Sequence, residues 1–107
     1  MNNEALIQTI TQCAKHCSMC AGTCLQETAI SEHADCIRIC LACADVCGTT
    51  ARLLAMNSSL SDSAVRLCKE ICVACMKICE DIPDEHCQQC ARVCKETAEQ
   101  CGVYAYV

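Results

Sequence analysis

The chain contains no Phe and no Trp, and only one Pro, two Tyr and three Gly among its 107 residues. A single domain of this length ordinarily closes its core with large aliphatic and aromatic side chains. Another residue type must therefore fill that space. Basic residues are scarce as well: 8 Lys and Arg stand against 13 Asp and Glu, for a net charge of −5. No basic patch alternates with aromatics, which argues against nucleic acid as a partner. No stretch approaches the roughly 20 apolar residues of a membrane span, so no membrane partner is expected. Met1-Asn2-Asn3-Glu4 lacks the basic segment and apolar run of a secretory signal. The expected compartment is the reducing cytoplasm, where abundant cysteine points to metal or redox chemistry before disulfides.

Cysteine is what the chain has in excess, 16 residues of 107, where roughly 8–10% already marks a special scaffold. Their spacing is an internal repeat. Cys13, Cys17, Cys20 and Cys24 follow C-x3-C-x2-C-x3-C, as do Cys36, Cys40, Cys43 and Cys47, and again Cys68, Cys72, Cys75 and Cys79. A degenerate fourth copy holds Cys87, Cys90, Cys94 and Cys101, with Pro83 and Thr97 in two of the slots. Steps of four and three are helical steps. At ~100° per residue they place all four side chains of a copy in a stripe about 60° wide. A strand would scatter them over both faces.

Each copy is thus a helix with one face of thiols, over roughly residues 4–28, 32–56, 62–81 and 84–102. Asn2 or Asn3 can cap the first helix, and Ser31 opens the second. The polar linker from Asn57 to Ser63 supplies a cap for the third, and Pro83 separates the third from the fourth. Short connections predict an all-α, antiparallel up-down-up-down four-helix bundle with a cysteine-lined core. Matching depths gives layers: Cys24, Cys36, Cys79 and Cys87, then Cys20, Cys40, Cys75 and Cys90, then Cys17, Cys43, Cys72 and Cys94. The last layer holds Cys13, Cys47, Cys68 and Thr97, with Cys101 beyond. Leu6, Ile10, Leu54 and Val65 gather at that end, while His33 and His86 lie at the margins of the stripe at the other.

A free cysteine packs as a small hydrophobe, but sixteen in register ask for more. Leucine in those slots would make a better-filled core. Disulfides along one helix are strained, because i,i+4 Cβ atoms lie ~5–6 Å apart and a disulfide wants ~3.5–4.5 Å. Iron–sulfur ligation in the ferredoxin manner uses a C-x2-C-x2-C-x3-C loop rather than straight-helix spacing. A ferredoxin-like redox protein remains the alternative from another class. Bare thiolates form a soft donor set that favours Cu(I), with zinc behind it in four-thiolate layers. Two thiolates around one ion need sulfurs ~4–5 Å apart, within reach of an i,i+4 pair. The number of thiols points to capacity for many ions. No imidazole or carboxylate sits in the stripe to pair with a nucleophile, so no enzyme is expected.

Four helices carrying C-x3-C-x2-C-x3-C stripes resemble the bacterial copper storage proteins over essentially the whole chain. The resemblance implies many Cu(I) ions along the bundle axis, a cytosolic protein and a homotetramer of bundles. It also implies that the sixteen cysteines named above are the metal ligands and that His or Met stands near the copper entry, with His33 and His86 as candidates. The copper donor and acceptor are unspecified. His16, Met19, Met56 and Met76 lie at the edge of the stripe or off it and read as packing or surface. Tyr104 and Tyr106 read as a tail covering a bundle end or an interface.

Overall fold

The computed structural model describes residues 3–27 and 30–104. Four helices follow one another: α1 (Glu4–Leu25), α2 (Ala34–Ala55), α3 (Ser61–Glu80) and α4 (Glu85–Tyr104). A single 3₁₀ turn, Ile30–His33, precedes α2. α1 and α3 each pack against α2 and α4. Among the described residues, the diagonal pairs bring no Cα atoms within 8 Å. The result is a rod of 46 × 19 × 18 Å. Helices laid side by side around an axis bury one stripe each. That stripe is the cysteine repeat: all sixteen thiols are buried, none more than 2% exposed.

The helix starts depart from the capping expected of the sequence. Asn3, His33 and Leu60 occupy the N-cap positions of α1, α2 and α3, and none makes a side-chain cap bond. Asn2 lies outside the described residues. Ser31 falls inside the 3₁₀ turn, so α2 begins three residues later at Ala34. In the linker the serines hold the turn instead of the helix. Ser58 Oγ accepts the Leu60 N–H at 3.1 Å, and Ser61 Oγ donates to the Leu53 carbonyl at 3.2 Å. Asn57 takes up the positive φ (54°) that reverses the chain there, a conformation Asn tolerates. α4 runs to Tyr104, whose Oη donates to Asp62 Oδ1 at 2.9 Å and ties its end to the start of α3. Tyr106 lies outside the described residues.

One end of the axis is apolar. Ile10, Leu54 and Val65 are at most 2% exposed, and Leu6 is partly buried against the core. Two threonines stand in or beside the cysteine stripe. The Thr97 hydroxyl, in a cysteine slot, donates to the Val93 carbonyl at 2.8 Å. Thr50 donates to Val46 at 2.7 Å and approaches the Ala64 carbonyl on α3 at 3.3 Å. Such bonds to the preceding turn satisfy a hydroxyl without a partner from another helix.

Candidate metal centre

Because each helix presents its thiols at 4-3-4-3 spacing, the four stripes meet on the axis. Sulfur atoms within the expected layers are close: Cys36–Cys79 at 3.6 Å, Cys24–Cys87 at 3.9 Å, Cys40–Cys75 at 3.8 Å, Cys17–Cys94 at 3.7 Å and Cys47–Cys68 at 3.7 Å. Contacts between layers are equally short. Cys40–Cys79 is 3.7 Å, and Cys20–Cys36, Cys17–Cys90 and Cys13–Cys72 are each 3.9 Å. Separate layers therefore do not exist; the sulfurs form one staggered lattice. Four-sulfur groups straddle the expected layers, such as Cys13, Cys17, Cys43 and Cys94, or Cys20, Cys40, Cys79 and Cys90. Within each, all donor atoms lie within 4.8 Å of one another, which covers the ~4–5 Å needed to place an ion between two thiolates. Cys101 stands at the edge of the lattice, with Cys68 as its leading partner.

The lattice also sets where protons sit. Cys75 is pulled down to about 6, mainly because it accepts from Cys17 and then Cys40 when ionised. Cys17 and Cys40 are pushed up, led by their hydrogen bonds to Cys13 and Cys17 respectively. A thiolate held by neighbouring thiols is the form that binds metal. At the end carrying His33 and His86, burial followed by the charge of Cys36 raises Cys24 to about 11. Burial, then Cys36 and Cys24, raises Cys87 too.

The two histidines behave differently. His86, on the first turn of α4 and half-buried, places Nε2 3.3 Å from Cys24 Sγ. With Cys20, Cys24 and Cys87 it forms a group of four converging donors. His33 is not a solvated turn residue: it is 8% exposed, and its Nε2 lies 3.2 Å from Asp84 Oδ2 in the α3–α4 connection. Asp84 had no signal in the sequence, since its partner lies on a turn 51 positions away. Met19 and Met56 are exposed at 54% and 66%. Met76 is half-buried beside the core, and His16 half-buried beside an outer cleft between α1 and α4.

A helical bundle whose axis is a continuous lattice of buried, unpaired thiols defines a soft-metal-binding protein. The chain belongs to the copper storage protein family, whose model (Csp) matches residues 1–106. It is similar to the Cu(I)-bound copper storage protein BsCsp3, at 34% identity and a TM-score of 0.94 over 98% of this chain and 99% of that one. A cytosolic copper storage protein from Streptomyces lividans, solved with five coppers, is 30% identical with a TM-score of 0.91, covering 95% of this chain and 90% of that one. The cysteine-rich protein YhjQ of Bacillus subtilis strain 168 is 35% identical over 99 residues, 92% of each chain.

Proposed function

We propose that the chain stores Cu(I) in the cytosol, holding many ions on the inward-facing thiolates of all sixteen cysteines. The observation that carries this is the unbroken lattice, with neighbouring sulfurs 3.6–4.0 Å apart from Cys24 and Cys87 at one end to Cys47 and Cys68 towards the other. Cu(I) with one thiolate per ion is charge-neutral, so a dry core can be filled without accumulating buried charge. A lattice with ligands at every step also lets ions pass between sites. The role is storage and exchange rather than catalysis, with a copper donor and acceptor as partners. The copper-loaded relatives and the soft donor set support the same reading.

Copper enters at the end carrying His86 and His33. His86 reaches Cys24, whereas Leu6, Ile10, Leu54 and Val65 offer no ligand at the other end. Assembly into a homotetramer would cover exposed apolar side chains such as Leu41 (48%) and Leu67 (51%), and light scattering measures it directly. Anaerobic Cu(I) titration against a competing chelator tests storage. Binding continues well past four equivalents per chain and leaves the protein colourless. Saturation at one or two ions, or a brown cluster protein on anaerobic purification, refutes it.

A further inference from the structure

The negative charge of the chain is gathered at one end of the rod. Seven of the thirteen acidic residues and none of the eight Lys and Arg lie in residues 24–37 and 78–91, the stretches that hold the α1–α2 and α3–α4 connections. The His33–Asp84 contact at 3.2 Å brings those two connections together. Over the rest of the 46 Å rod the sign reverses, with eight basic residues against six acidic. The same end exposes apolar side chains, Leu25 at 51% and Ile30 at 44%. We infer, on the reading that copper is stored and enters at this end, that the face docks a copper-carrying protein with a basic, partly apolar surface.

Most of these carboxylates are available to a partner. Asp35 is paired with Arg38 at 3.2 Å, and Asp84 with His33. Glu32, Glu80, Asp81 and Glu85 are exposed, and no Lys or Arg nitrogen lies within 4.0 Å of them or of half-buried Glu27 among the described residues. Charge of one sign at one end of a rod turns an oppositely charged partner towards that end and raises its association rate by about 10–10³-fold at low salt. Leu25 and Ile30 add apolar contact, which salt does not screen. The sealed end offers no such combination: Met56 and Leu60 are exposed there, but Asp62 and Arg66 beside them mix the signs. The acidic rim also discriminates among carriers. Two small thiolates around one Cu(I) make an anion, which the rim repels, whereas a basic protein surface is drawn in.

The test uses two synthetic peptides that carry Cu(I) on the same Cys-x-x-Cys site, one flanked by lysines and the other by glutamates. Each is mixed rapidly with the reduced apo protein under anaerobic conditions, and copper is measured on the separated protein. At about 10 mM salt, where the Debye length is about 30 Å, the lysine peptide should transfer at least about tenfold faster. Near 1 M salt, where that length is about 3 Å, the two rates should converge. Combining E32Q, E80Q, D81N and E85Q removes most of the low-salt difference, whereas E70Q with E99Q, away from this end, keeps it. L25S with I30S slows the lysine peptide at both salt concentrations. Cu(I) capacity, titrated separately against a small chelator, stays the same in every variant. Equal rates at low salt, a preference that survives the loss of the four charges, or a lysine-peptide rate untouched by L25S with I30S overturns the docking surface and leaves storage standing. A protein that accepts copper from neither peptide nor chelator overturns storage itself.

Discussion

Replacing Cys43 by serine separates a thiol kept for packing from a thiol kept for metal. Cys43 is fully buried, 3.8 Å from Cys72 and 3.9 Å from Cys47, and belongs to two of the four-sulfur groups. Serine has nearly the same shape, so the substitution leaves little cavity, and the question is where its hydroxyl donates. Thr97 already answers it, for a hydroxyl in a cysteine slot donates to the carbonyl four residues earlier at 2.8 Å. The hydroxyl introduced by Cys43→Ser would reach the Ile39 carbonyl in the same way. A satisfied hydroxyl avoids most of the ~1–3 kcal/mol penalty of an unpaired one, and the net loss of apo stability should be about 1 kcal/mol. In a domain of this size that lowers Tm by about 4–8 °C. Capacity should suffer more. Hydroxyl is a poor ligand for Cu(I), and a sulfur in two groups serves more than one ion. Anaerobic titration should show Cys43→Ser losing more than one copper per chain, and Cys101→Ser, at the lattice edge, losing less. Unchanged capacity together with a collapse of apo stability would refute the reasoning and return the thiols to a packing role.

Leu54→Ala, at a residue 2% exposed in the apolar end, should destabilise the apo protein by about 2–5 kcal/mol in denaturant unfolding while leaving copper capacity intact. The apo protein should be helical before any metal is added, because its core closes without one; a random-coil far-ultraviolet spectrum would contradict this. Replacing His33 and His86 together by alanine should slow copper uptake in stopped-flow measurements without changing final capacity. Apo stability should fall as pH rises from the ordinary thiol value of 9.0 to about 11, since folded Cys24 keeps a proton that the unfolded chain releases over that interval. Below pH 9 that contribution is complete, and copper loading, which displaces the proton, should remove the dependence.

The 4-3-4-3 spacing made the helices, the bundle and the burial of every thiol legible in the sequence, because a helix turns that spacing into one face. Three things were not legible. Cys40 on α2 touches both Cys75 and Cys79 of α3, at 3.8 and 3.7 Å. A sulfur from the neighbouring helix therefore settles between two depths, and flat layers give way to a stagger that only the relative heights of the helices determine. The caps failed for a different reason. Ser58 and Ser61 found turn partners in Leu60 and Leu53, a choice set by how α2 and α3 meet. The His33–Asp84 contact is likewise a product of two connections brought together by the fold.

With copper entering at the His86 end, as proposed, an axis sealed by Ile10, Leu54 and Val65 at the other would have the topology of a stack. Ions admitted past His86 must advance to make room for later ones, and those nearest the mouth leave first. If copper is loaded in two isotopic pulses, the second should be recovered before the first, at a rate limited by hops between thiolates. Supply from such a store depends on order of arrival as well as on affinity, so the most recently deposited metal is the most readily returned.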